Sequence, residues 1–341
     1  MQSVSEILIV AKALNATFVE PCIQGGRLTR CSEPHKVKLS DVFRMDKMKE
    51  FHPFIVSYEV FQNETNDEQH NSTHFQHICH TLIIKYGGVC VVNQYSKTSS
   101  PSLEAAVARS QQSQRTVVQL SGYRKDGWYN MMFKGRPLIP DKGHTVDKIL
   151  KKYLHFTQEI YDFVDMILKE AGIKDENYSV IQWRGEIHSL DYVSCARHII
   201  TARDIMQEKE VARRGHGRNE TPFVLISSLN RNESLAWNNK ARGPDAQEAL
   251  KLLLDDNGFL KLDLFVQKHK DFVRDQVFFA AADLVLAQKA KEFATCSKSC
   301  KSICAQCGFQ GSFVQMTEAL RTARDKKSTL CWPERKFWWS S

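Results

Sequence analysis

Val180-Ile181-Gln182-Trp183-Arg184-Gly185-Glu186 is the stretch that decides how the rest of the chain is read. Val180 to Trp183 has the composition of a short buried strand, and it ends by delivering an arginine and then a glycine. In open parallel sheets, ligands bind at the carboxyl ends of the strands, where helix N-termini and loop amides face outward. Arginine offers a planar, permanently charged fork suited to a diphosphate, and glycine lets backbone approach a ligand closely. The plainer alternative is that Arg184 pairs with a carboxylate at a domain interface.

Outward from this strand, apolar and polar residues alternate with the periods of a β/α repeat. On its N-terminal side, Val146, Ile149, Leu150, Tyr153, Ile160, Phe163, Val164, Ile167 and Leu168 predict one long amphipathic helix ending at Gly172. On its C-terminal side, a helix is expected from about Asp191 to Ala212, a strand at Phe223 to Ser227 and a helix from Pro244 to Leu254. A strand at Phe259 to Leu262, an apolar helix around Val277 to Leu286, a strand at Phe293-Ala294 and a helix near Phe313 to Ala323 complete the series. Alternation at this spacing implies a parallel sheet with right-handed crossovers. The first half is less regular: a helix at Val4 to Leu14, strands at Thr17 to Val19, between Ile78 and Val92 and at Thr116 to Leu120, and a polar insertion at 62–76. Residues 122–144, rich in Gly, Pro and aromatics, mark the crossing between halves. The expected division is therefore 1–143, 144–328 and a tail at 329–341.

A chain of 341 residues accommodates two domains with separate cores, and no apolar run reaches the length that spans a bilayer. The formal charge of +8 favours anionic ligands, but Lys and Arg are scattered and not gathered into a stripe, which argues against nucleic acid. Six Asn-x-Ser/Thr sequons begin at Asn15, Asn63, Asn71, Asn177, Asn219 and Asn232, as expected of a glycoprotein of a secretory lumen. Among ten cysteines, Cys296, Cys300, Cys304 and Cys307 form a cluster. Disulfides are the favoured reading, a four-thiolate zinc site is the alternative, and connectivity cannot be read from spacing. Cys22 and Cys31 form a second plausible pair, closing a ten-residue hairpin. No signal peptide precedes these features, and the opening reads as a first domain that lacks its start.

Other positions carry possible chemistry. Ser227 and Ser228 end a strand and could bond a ribose, although plain loop serines are the simpler reading. Asp275 and Asp283 lie eight residues apart around an apolar helix, where Asp275 alternatively matches the helix dipole. Gly311-Ser312-Phe313 opens the last helix, where free amides and a hydroxyl form an anion site or a simple N-cap.

These residues, in this order, resemble the protein O-fucosyltransferase group and its plant and algal relatives. The resemblance is carried by Ala11 to Pro21, by Val37 to Phe43 with Asp46, by Ile181 to Arg184, by Asp275 and Asp283 before Phe293, and by Ser312-Phe313. It implies a GT-B-like fold of two Rossmann-like α/β domains with parallel sheets facing a central cleft. It also implies a GDP-fucose donor and a protein or glycan acceptor, with inverting transfer, no tightly bound cofactor and no metal. Arg184 and Glu186 are then the catalytic candidates, with Arg184, Gly185, Asp275, Asp283, Ser312 and Phe313 at the donor. The expected compartment is the ER or Golgi lumen, with any membrane contact through an N-terminal anchor. Three departures stand out: the family's glycine-asparagine turn before the first helix is absent, Gln182 replaces a common histidine, and about ten additional residues carry the cysteines. The alternative is an inactive lumenal glycan- or protein-binding module on the same fold.

Overall fold

The computed structural model describes residues 4–5, 8–9, 11–12, 17–24, 27–29, 31, 37–60, 75–79, 117–121, 149, 151–174, 176–183, 191–214, 221–227, 244–256, 258–260, 276–296, 300, 303–307 and 312–333. Chain contacts divide it into two compact units, Met1–Thr157 and Gln158–Ser341. The expected division at 143/144 falls outside the described residues.

In the first unit, β1 (Phe18–Val19) pairs in parallel with β5 (Ile55–Val56), and β6 (Phe75–Cys79) pairs in parallel with β7 (Val117–Ser121). Between them, β2 (Cys22–Gln24) and β3 (Arg27–Thr29) form an antiparallel hairpin, with β4 (Val37–Lys38) on the other edge of β2. A disulfide between Cys22 and Cys31 closes this hairpin, as the spacing suggested. Two short helices follow, α1 (Leu39–Val42) and α2 (Met45–Phe51). Buried Glu20 accepts a bond from the Ser40 amide at 2.6 Å and so caps the start of α1.

The long helix expected across 146–168 is interrupted. Tyr153 and Leu154 both donate backbone bonds to the Ile149 carbonyl, and residues 153–157 leave the helical path. Phe156 pairs with Phe43 through a backbone bridge and stacks on its ring at 5.4 Å, while the Thr157 amide bonds Val42. Tertiary pairing outcompetes a helical pattern that continues through the break. Only α3 (Gln158–Glu170) remains as the helix entering the second unit.

The second unit is a doubly wound sheet. Its parallel strands are β8 (Ser179–Trp183), β9 (Phe223–Ser227), β10 (Phe259–Leu260), β11 (Glu292–Thr295) and β12 (Ser328–Thr329), in the spatial order β10-β9-β8-β11-β12. Connecting helices are α4 (Tyr192–Arg214), α5 (Pro244–Asp255), α6 (Gln276–Lys289), α7 (Ile303–Cys307) and α8 (Ser312–Thr322). Ile181, Trp183 and Ala294 point to one face and pack with Cys195 and Ile199 of α4 and Ala246 and Leu253 of α5. On the opposite face Phe163 of α3 meets Phe278 of α6, and Arg321 of α8 lies over the Phe293 ring.

Arg321 fastens the amino end of this sheet. Its guanidinium is fully buried and donates to the carbonyls of Ala287, Ala290, Lys291 and Lys327 and to the Ser328 hydroxyl. The orphan carbonyls at the end of α6 are thereby tied to the turn before β12. Burial lowers its pKa to about 10, which leaves it charged at neutral pH. We expect Arg321→Met to lower stability by about 3–5 kcal/mol, since several buried carbonyls lose their donor together. A thermal unfolding midpoint within about 2 °C of wild type would contradict this role, given roughly 2–4 °C per kcal/mol for a unit of this size.

Candidate functional site

Strand order reverses beside β8. From β8 the chain steps outward through β9 to β10, then crosses back to place β11 on the other edge of β8, and continues outward to β12. The crevice at the carboxyl ends of β8 and β11 is therefore the topological switch point, where ligands bind in open α/β sheets. Trp183 ends β8 and Thr295 ends β11, and Arg184 is the next residue after β8 in the chain. Helices α6 and α8 both run back toward the amino ends of β11 and β12, so both begin at this carboxyl end. Their dipoles favour an anion there.

The two strand ends are built differently on their two faces. On one face the Trp183 ring is fully buried, meets the Tyr192 ring edge-on at 6.2 Å, and donates its Nε1–H to the Cys307 carbonyl at 3.0 Å. On the other face Gln182 and Thr295 are in register, and the Thr295 hydroxyl donates to Gln182 Oε1 at 2.5 Å. Both side chains are buried, with Gln182 7% and Thr295 0% exposed.

Disulfides hold the segments that leave these ends. Cys195 in α4, the helix after β8, is bonded to Cys307 in α7, the helix after β11. Cys296, the residue after β11, is bonded to Cys304, and Cys300 is bonded to Cys331 beyond β12. All four sulfurs of the cluster are thus in disulfides, and a disulfide sulfur is not the thiolate that zinc requires. Among the described residues no group of His, Cys, Asp and Glu is arranged to hold a metal. Trp332 buries its ring beside this cluster, with its amide donating to Cys304 Sγ at 3.1 Å.

Of the residues the sequence singled out, Arg184, Gly185, Glu186 and Asp275 lie outside the described residues, as does Ser228. Ser312 is the first residue of α8, and half-buried Phe313 is the second. The fold brings the start of α8 to the same sheet end as β8. Asp283 is half-buried in α6, seven residues after Gln276, roughly 10 Å along the axis from the helix start at 1.5 Å per residue. Ser227 is buried at the end of β9, opposite Trp183. Thr295 was missed altogether; a hydroxyl closing the apolar run Phe293-Ala294 was its only signal.

A profile of the family described as GDP-fucose protein O-fucosyltransferase matches residues 2–303. The chain belongs to that family. The match spans both units and includes β8, β11 and the residues between them, and it ends before Ser312 and Phe313. Membership implies GDP-fucose as donor and a fucosyltransferase activity. No curated protein matches the chain as a whole or in part.

For this fucosyltransferase-family chain, peptide mapping under non-reducing conditions should recover Cys195–Cys307, Cys296–Cys304 and Cys300–Cys331 as linked pairs. Because Cys195 and Cys307 are 112 residues apart, loss of that bond by Cys195→Ala with Cys307→Ala should cost about 4 kcal/mol through the freed unfolded chain. Unchanged unfolding of the double variant would show that the bond does not form in solution.

Proposed function

We propose that this chain transfers fucose from GDP-fucose to a hydroxyl on a protein or glycan with inversion at the sugar carbon. The observation that carries the proposal is the reversal of strand order beside β8, the strand that leads directly into Arg184. Family membership supplies the donor. In the transfer, the acceptor oxygen attacks the anomeric carbon as the bond to the β-phosphate oxygen breaks. GDP departs with both electrons of that bond, and the acceptor's proton passes to a base. Arg184 neutralises charge growing on the diphosphate, helped by the amides at the start of α8 and the Ser312 hydroxyl. Glu186 is assigned as the base, being the nearest acid in the chain to that arginine. Gly185 gives the donor close access to backbone, Asp275 and Asp283 contact the nucleotide or hold the loop that does, and Phe313 packs on the donor. Charge neutralisation by these groups needs no metal.

In this proposal the two units are the two Rossmann-like halves of a GT-B-like enzyme, the second holding the nucleotide sugar. Parallel pairing in both units is consistent with such halves. The proposed compartment is the ER or Golgi lumen, supported by six sequons and by four disulfides among the described residues.

A GDP-release assay with GDP-fucose and a panel of protein and glycan acceptors tests the proposal. Arg184→Ala should lower kcat/KM by about 100- to 1000-fold, the usual cost of removing a donor from developing negative charge. Glu186→Gln should lower kcat by a similar factor and leave GDP affinity intact. Unaltered turnover in the arginine variant, or GDP affinity equal in Arg184→Ala and wild type, would sink the assignment.

A further inference from the structure

Asn177-Tyr178-Ser179 is one of the six Asn-x-Ser/Thr sequons, and the asparagines of the other five lie outside the described residues. It occupies the entry to the central strand β8. Asn177 is half-buried in the turn between α3 and β8, where its backbone amide donates to the Lys174 carbonyl at 3.0 Å. The two residues after it are committed to the fold. Tyr178 is fully buried, donates its hydroxyl to the Leu286 carbonyl at 2.7 Å, and accepts at its own carbonyl from the Lys291 amide at 2.8 Å. Ser179 is only 3% exposed, and its amide donates to the Pro222 carbonyl at 2.9 Å.

Glycan attachment at a sequon requires the asparagine amide and the hydroxyl two residues on to be reached together. In the folded chain the first is partly open and the second is closed off, so both are presented only before β8 inserts between β9 and β11. A neighbouring sequon points the same way. Thr221, the third residue of Asn219-Glu220-Thr221, lies just before β9, is 4% exposed, and has a hydroxyl with no hydrogen-bond partner. A buried hydroxyl without a partner costs the folded state, and valine would fill the same space without that cost. Folding gives no reason for a hydroxyl there, whereas its recognition in the unfolded chain does.

We propose that Asn177 is an N-glycosylation site that is filled while the chain is still unfolded, before β8 takes its place in the sheet. The inference rests on the lumenal compartment proposed above. The co-reactant is an oligosaccharide linked to a lipid diphosphate. The Asn177 side-chain nitrogen bonds to the anomeric carbon and loses one proton to a base, while the lipid diphosphate departs with the electrons of the broken C–O bond. The glycan then lies at the amino end of β8. Ser179 and Trp183 are roughly 13 Å apart at about 3.3 Å per residue, so the glycan and the switch point occupy opposite ends of one strand.

The full chain, directed into the ER lumen of cultured cells, should be deglycosylated with a peptide N-glycosidase in water enriched in oxygen-18 and then mapped by mass spectrometry. Each occupied asparagine becomes a labelled aspartate. Label at Asn177 is expected in most molecules, and Ser179→Ala should abolish it there while leaving the other labelled sequons unchanged. Label at other sequons with none at Asn177 overturns this inference and leaves the compartment standing; no label at any of the six overturns both. The order of events is read in vitro, on unglycosylated chain offered to purified oligosaccharyltransferase and lipid-linked oligosaccharide. The reduced, unfolded chain should be modified at Asn177 at least about tenfold faster than the folded chain. Equal extents in the two states, zero included, overturn the proposed order.

Discussion

The central strand β8 has hydrogen-bonded neighbours on both edges and helices on both faces, and every one of its residues is buried. That constraint governs the second unit. A side chain on such a strand must be apolar or must find a partner without water, since an orphaned polar group costs about 1–3 kcal/mol. Val180 and Ile181 satisfy it trivially. Trp183 satisfies it by donating to Cys307, and Gln182 accepts from the Thr295 hydroxyl.

The two ends of the sheet do different work. At the amino end, Arg321 directs its donors to four carbonyls and the Ser328 hydroxyl, while Lys326 bonds Glu176 at 2.7 Å and the carbonyl of Ala290 at 3.3 Å. These groups are used up by the fold itself, and they terminate α6 where it meets β11. At the carboxyl end the helices begin, and disulfides join the segments that leave the strands.

The cysteines make the same point. The spacing of Cys296, Cys300, Cys304 and Cys307 invites pairing within the cluster or around one metal ion, yet only one bond is internal to it. Cys307 reaches back to α4 and Cys300 reaches forward past β12. The Cys195–Cys307 bond joins the helices that follow the two strands flanking the switch point. The residues inserted after β11 are thereby fixed to the helix that follows β8.

The alternation of apolar runs and amphipathic helices after residue 178 determined the parallel α/β class, although α7 and β12, the latter reaching into the expected tail, were not foreseen. Burial on one or both faces of a strand leaves a local imprint that period and composition disclose. The buried strand ending at Trp183 and the helix start at Ser312 were legible for the same reason, since strand ends and helix starts are local events. Three things were decided by tertiary structure alone. The helix break at 153–157 comes from the pairing of Phe156 with Phe43, more than a hundred residues away in the chain. The order β10-β9-β8-β11-β12 follows from the crossover direction, which no single segment encodes. The contact of Thr295 with Gln182 and the partners of Cys300 and Cys307 depend on that order, because only strand adjacency brings such distant residues within bonding range.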